Sequence, residues 1–319
     1  MTMSRRRVLA AGAAGTAALG LGLGGPARAA DDKVIRIGFQ KYGTLILLKA
    51  KGSLEERLKP LGYRVAWSEF PAGPQLLEAL NVGAIDFGST GEAPPIFAQA
   101  AGADLQYVAH EPPAPRGEAI LVPKTSPLKS VAELKGRKVA LNKGSNVHYL
   151  LVKALEQAEV PYDAVEKVFL APADARAAFD GGRVDSWAIW DPFQAAAEVA
   201  TGARTLVNGE GLVPNHQFYL AARKFSEGHG PVVDATIAAL AEIDRWIAAN
   251  PQAAADQLGP ATGIPASVIR VAVERQAYGI GALSPAVVAE QQKIADAFFK
   301  LGLLAKPVVI AEVVRKPTG

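Results

Sequence analysis

Two stretches of the chain, 99 residues apart, run through the same programme. Leu77 to Asp86 and Arg176 to Asp185 each read as the end of a helix, a glycine turn, and a strand that opens Ile-Asp or Val-Asp. Carried on at that offset, the alignment sets Glu92 opposite Asp191, each at the carboxyl end of its strand and each followed closely by Pro94 or Pro192. An acidic residue just ahead of proline is good chemistry for starting a helix. A repeated helix–turn–strand unit constrains the chain to two similar α/β lobes. In open α/β sheets ligands bind outside the carboxyl ends of the strands, so the two acidic corners mark a shared cleft.

The rest of the chain fits that frame. From Val34 onward short β-branched or apolar runs alternate with amphipathic segments, the pattern of βαβ units and parallel sheets. Strands are expected at Val34–Phe39, Tyr63–Phe70, Ile85–Phe87, Leu105–Ala109, Val139–Leu141, Val168–Leu170 and Ser186–Trp190. Helices are expected at about 44–59, 74–81, 145–159, 174–179 and 285–301. The proline-rich piece His110–Pro115 cannot be helical and reads as a crossing connection. Phe218-Tyr219-Leu220 returns the chain to the first lobe. The expected class is α/β and two-lobed, each lobe a mostly parallel sheet flanked by helices, with a ligand cleft between them. Lobe I takes residues 30–118 and 218–319, and lobe II takes 119–217.

Charge and cysteine content exclude other classes. The full chain has 34 basic and 31 acidic side chains and no cysteine. Arg5, Arg6, Arg7 and Arg28 all precede the first acid, Asp31. A basic start, a bland glycine-interrupted apolar run to about Leu23 and the small-residue motif Ala27-Arg28-Ala29 form the signature of a secretory signal peptide. The arginine pair after Ser4 is of the twin-arginine type. Cleavage near Ala29 leaves 30 basic against 31 acidic residues, a net charge of −1. A nucleic-acid partner then has no basis, and the leader is a poor permanent membrane span. Without cysteine there is no thiolate metal site and no lipid-acylated terminus. The periplasm is the expected compartment.

Motifs for catalysis are missing. The sequence has no G-x-S-x-G elbow, H-E-x-x-H, Walker A loop or G-x-G-x-x-G fingerprint, and its four histidines have no metal spacing. No cofactor or metal is expected. What stands out instead is neutral donors at strand-to-helix junctions. Gly88-Ser89-Thr90-Gly91 precedes the helix that contains Pro95–Gln99, and Asn142-Lys143-Gly144-Ser145-Asn146 precedes the helix from Val147. Free N–H groups at a helix start, with hydroxyl and amide side chains beside them, suit an anion; the same serines and threonine also suit plain helix caps. Gln40, at the end of the first strand, is a third donor facing the cleft. Trp190 is either an apolar wall for an organic tail or ordinary core, and Trp187 belongs to the core.

These residues carry a resemblance. Phe70–Gln75, Ala79–Gly83, Gly88–Gly91, Pro94–Gly102, Pro172–Phe179, Trp187–Pro192 and Phe218–Arg223 resemble the aliphatic sulfonate-binding proteins of ABC importers. The wider family holds taurine, nitrate and thiamin-precursor binders. The resemblance implies a periplasmic binding-protein fold, not an enzyme, that delivers an alkanesulfonate as a monomer to a permease and its ATPase. It implies that the sulfonate meets Gln40, Ser89, Thr90, Gly91, Ser145, Asn146, Trp190 and Asp191, with Glu92, Glu118 and His148 counted in the same set. A sulfonate is permanently ionised and cannot donate a hydrogen bond, so uncharged donors suit it. Glu92, Glu118 and Asp191 are the awkward members: near a sulfonate they repel it unless they accept backbone N–H groups, grip the opposite lobe, or pair with the ammonium of an amino-sulfonate such as taurine.

Overall fold

A computed structural model describes residues 33–316; the expected leader and its cleavage point lie outside the described residues. The strands are β1 (Lys33–Phe39), β2 (Tyr63–Glu69), β3 (Phe87–Gly91), β4 (Leu105–His110), β5 (Glu118–Val122), β6 (Lys138–Leu141), β7 (Glu166–Phe169), β8 (Ser186–Trp190), β9 (Arg204–Asn208) and β10 (Gln217–Ala222). They form two five-stranded sheets, ordered β2-β1-β3-β10-β4 and β7-β6-β8-β5-β9. In each sheet the fourth strand alone runs antiparallel, and it is the first strand laid down after a crossing. The mostly parallel expectation therefore holds, and both sheets share one topology.

The helices are α1 (Thr44–Lys51), α2 (Ser53–Leu58), α3 (Gly73–Asn81), α4 (Ala93–Ala100), α5 (Asn146–Gln157), α6 (Pro172–Asp180), α7 (Phe193–Thr201), α8 (Arg223–Gly228), α9 (Gly230–Ala249), α10 (Pro251–Thr262), α11 (Ala266–Arg275) and α12 (Pro285–Lys300). The 99-residue offset survives in detail: α3 and α6 correspond end to end, as do β3 and β8. Three expectations need correction. The single helix over 44–59 is broken at Gly52, whose φ of 64° is a left-handed cap that ends α1 and reorients the chain into α2. The strand expected at Ile85–Phe87 instead starts at Phe87, because Asp86 turns its carboxylate onto the Arg36 backbone N–H and Nε, both at 2.9 Å. Strands β5 and β9 have no counterpart in the sequence reading.

Close packing explains the glycines of β1 and β3. A methyl group on Gly88 would meet Leu76 Cδ2 at 2.8 Å and the Gly38 carbonyl at 3.0 Å, so α3 can lie directly on the sheet only if this site is bare. The two crossings are laced to each other: Glu111 N–H donates to the Gln217 carbonyl at 2.8 Å, Ala114 N–H to Pro214 at 3.0 Å, and Gly209 N–H to Pro115 at 2.9 Å. Asn215, at φ 52°, turns its Nδ2 onto the Ala114 carbonyl at 2.9 Å. Glu111 anchors the first crossing by accepting from the Thr44 and Tyr219 hydroxyls; its burial, and after that the Asp244 charge, push its pKa up to about 8. Among the described residues no helix is long and apolar enough to cross a membrane.

Candidate functional site

The repeat brings four strand ends together. In the first sheet Gly91 at the end of β3 pairs with Gln217 at the start of β10; in the second, Trp190 at the end of β8 pairs with Glu118 at the start of β5. Between these ends lies a small, narrow chamber lined by Tyr42, Asn146, Trp190, Asn215, Gln217 and Gln276 together with Gly117 and Asp191. Its lining is rich in uncharged amides. Tyr42 and Trp190 also line a wider cavity of about 260 Å³, with Gln40, Lys41, Glu69, Phe70 and Phe193, that forms the chamber's outer mouth.

Asn146 occupies the interlobe contact. A methyl group built on Gly91 would stand 3.0 Å from its Cβ, Cγ and Oδ1 atoms, so the strand end and the first residue of α5 touch only because Gly91 is bare. The Asn146 amide donates to Glu118 Oε2 and, at 3.0 Å, to Asn215 Oδ1. One side chain thereby ties helix, strand and crossing.

The three awkward carboxyls are accounted for individually. Glu118 is fully buried; burial, and then the Glu92 charge, hold its pKa well above the carboxylate range. Glu92 is pushed up to about 8 by burial, against the opposing pull of the His216 N–H that its Oε2 accepts at 2.9 Å. Two neighbouring buried carboxyls do not ionise together, so this corner carries far less negative charge than its composition suggests. Asp191 remains an acid in use. Its Oδ1 accepts the Ala195 N–H at 3.0 Å at the start of α7, and Arg275 lies 3.4 Å from both oxygens. Burial still lifts it to about 6, against the pull of that guanidinium.

The remaining candidates separate. Gln40 lines the mouth, and its Nε2 donates to the Ser89 carbonyl at 3.1 Å. Ser89 and Thr90 do not sit in a strand-to-helix loop: they lie inside β3, paired with Tyr219 and Phe218 of β10. Thr90 Oγ1 donates to the Gly91 carbonyl at 2.9 Å and Ser145 Oγ to the Asn142 carbonyl at 2.7 Å, so neither hydroxyl caps a helix. The first turn of α4 is a poor anion site, because Pro94 and Pro95 have no N–H to offer. His148 faces away from the chamber. Its Nδ1 accepts the Gly144 N–H at 3.2 Å, its Nε2 meets the Tyr162 hydroxyl at 2.6 Å, and its ring packs on Phe97 and Phe298. Burial, then Lys143 and Lys167, lower its pKa to about 4, so it is neutral.

Sequence reasoning missed Tyr42, Asn215, Gln217 and Gln276. The first follows Gln40 by two residues, and Asn215-His216-Gln217 is a polar run directly before an apolar strand, a signal available to inspection. Gln276 leaves no such trace. Among the described residues no group of three or more histidine or acidic side chains could hold a metal ion.

Comparison with known proteins converges on one group. The NMT1/THI5-like family pattern matches residues 66–254. An aliphatic sulfonates-binding protein of Escherichia coli strain K12 is 45% identical over 289 residues, 90% of each chain. The alkanesulfonate-binding protein of Xanthomonas axonopodis pv. citri, solved bound to MOPS, superposes with a TM-score of 0.84 at 41% identity, over 90% of this chain and 99% of that one. The periplasmic aliphatic sulphonate-binding protein of Escherichia coli gives a TM-score of 0.81 at 45% identity, over 90% and 93%.

Proposed function

Since the chain belongs to the NMT1/THI5-like family and, within it, to the aliphatic sulfonate-binding proteins, we propose that it is a periplasmic receptor that captures alkanesulfonates between its lobes. It is exported by the leader of residues 1–29, acts as a monomer, and hands its ligand to an ABC permease and its ATPase for sulfur acquisition. The observation that carries this reading is the interlobe chamber lined by uncharged amides, with Glu92 and Glu118 behind it held toward the neutral acid by burial first, then by the Glu290 charge at Glu92 and the Glu92 charge at Glu118.

The chemistry follows from that lining. The sulfonate head takes N–H donors from Gln217, Gln276 and the Trp190 indole, whose Nε1 is buried without a hydrogen-bond partner among the described residues. No formal cation lines the chamber, so binding is strong enough to capture and weak enough to release. The organic group packs against the Trp190 ring. An amino-sulfonate has less to gain, because Asp191 is already engaged by Arg275 and the Ala195 N–H. Closure of the lobes presses Gly91 onto Asn146 and shuts the head away from water.

Thermal unfolding against a ligand panel tests the reading. Ethane- and butanesulfonate at about 100 times Kd contribute roughly 2.7 kcal/mol and raise Tm by several degrees, whereas sulfate and nitrate leave it in place. A shift with nitrate or taurine and none with either alkanesulfonate would overturn the assignment.

A further inference from the structure

A second interlobe contact lies outside the chamber. Phe97 of α4 stacks on His148 of α5, with ring centres 6.4 Å apart and planes 18° from parallel, and Phe169 at the end of β7 meets the same imidazole edge-on at 5.6 Å. Phe97 and Phe169 also line a groove of about 510 Å³, about twice the volume of the mouth. One wall belongs to lobe I, from α3 and α4; the other belongs to lobe II, from residues 142–144 and 169–171. The groove shares no lining residue with the chamber and only Ala171 with its mouth. Its surface is mixed. Phe97, Ala98, Ala101 and Phe169 supply apolar area, and Phe169 is 41% exposed. Exposed Glu78 stands on the lobe I wall and exposed Lys143 on the lobe II wall, and neither forms an ion pair with another described residue.

We propose that this groove is the docking site for a water-exposed loop of the ABC permease, and that only the closed, loaded receptor offers it whole. The proposal rests on the receptor reading and adds where the permease touches the receptor and how loading is read. A small solute is held where water is shut out, whereas this groove keeps its rim in solvent and suits a polypeptide segment. The loop that fits carries an apolar side chain for Phe97 and Phe169, flanked by an acid for Lys143 and a base for Glu78. Unpaired charges of opposite sign on the two walls fix the direction in which that loop lies. Because each wall comes from a different lobe, parting of the lobes separates Phe97 from His148 and splits the groove into two shallow halves.

The test uses the intact mature receptor, the permease–ATPase complex of its importer in lipid nanodiscs, and the variants Glu78→Lys, Ala101→Trp and Phe169→Ser. All three positions are exposed and lie outside the chamber and its mouth. Calorimetry with butanesulfonate should give each variant the wild-type affinity, which also certifies its fold. Half-maximal stimulation of the ATPase by loaded receptor should then take about five- to tenfold more of each variant. Ligand-free receptor should stimulate weakly and respond to none of the three substitutions; equal sensitivity with and without ligand would overturn the reading of closure. Stimulation curves of all three variants that superpose on the wild type would overturn the groove and leave the receptor standing. Absence of sulfonate binding by the wild type would overturn the receptor itself, and the groove with it. A wild-type dimer in sedimentation, dispersed by Ala101→Trp, would give the groove to a second copy of the chain and overturn the proposal.

Discussion

Gly91 shows what a single absent side chain does for this molecule. It closes the gap between the lobes against Asn146, whose amide is fixed by Glu118 and Asn215 and cannot swing aside without losing both partners. Gly91→Ala places a methyl 3.0 Å from three atoms of that side chain. Overpacking of this kind costs about 1–3 kcal/mol, and parting of the lobes would relieve it, so it weighs against the arrangement in which they touch. Calorimetry with butanesulfonate should therefore show affinity reduced by about 5- to 150-fold with unfolding midpoints nearly unchanged. Unaltered affinity would mean that the lobes do not meet at this point when ligand is held. Gly91 was legible in the sequence as part of a donor-rich run; its function as a clearance was not, because its neighbour Asn146 lies 55 positions away. The hydroxyls of Thr90 and Ser145 misled for the opposite reason. Their types suit anion binding and capping equally, and only the backbone around them shows that they bond locally.

The joint between α7 and α11 is the element that carries a buried charge. Asp191 precedes α7 and Arg275 ends α11, and the guanidinium reaches both Asp191, at 3.4 Å, and Glu198, at 2.7 Å. Asp191 has its pKa raised to about 6 by burial, so the folded state holds that proton more tightly than the unfolded state does. Its contribution to stability is present below the unfolded carboxylate pKa near 3.8 and is lost as pH rises through about 6. Arg275→Ala removes the cation that moderates this loss. In urea unfolding the variant should match the wild type closely at pH 4. At pH 7.5 it should be less stable, toward the lower end of the ~3–5 kcal/mol typical of a broken buried pair, since Arg275 keeps some solvent contact. An equal deficit at both pH values would show that the loss is one of packing. At this scale the sequence was informative where periodicity is strong: α3, α6, β8 and α12 agree with the pattern to within one or two residues. It was silent about β5 and β9, whose pairing partners come from other parts of the chain, and it ran α1 into α2 because the glycine between them breaks no apolar pattern.

For the molecule as a whole, the 99-residue repeat proves to be the organising fact. It anticipated two sheets of one topology and set their acidic corners opposite each other, while the crossings that supply β5 and β10 complete each sheet with an antiparallel strand. What it could not anticipate is that those corners hold their carboxyls neutral or engaged, so that a chamber lined by Asp191, with Glu118 behind Asn146, still suits an anion. That depends on burial, which no local pattern encodes. The central claim is that the sulfonate lies in this chamber beside Trp190, and the indole N–H signals report on it directly. The chain has four tryptophans, and Trp190→Phe identifies the resonance of interest in a ¹⁵N-labelled sample. Titration with butanesulfonate at pH 7 should move the Trp190 indole signal downfield as its N–H gains an acceptor, with that of Trp67, which already donates to Glu55 at 2.7 Å, left in place. A Trp190 signal that stays fixed while butanesulfonate binds would contradict the account.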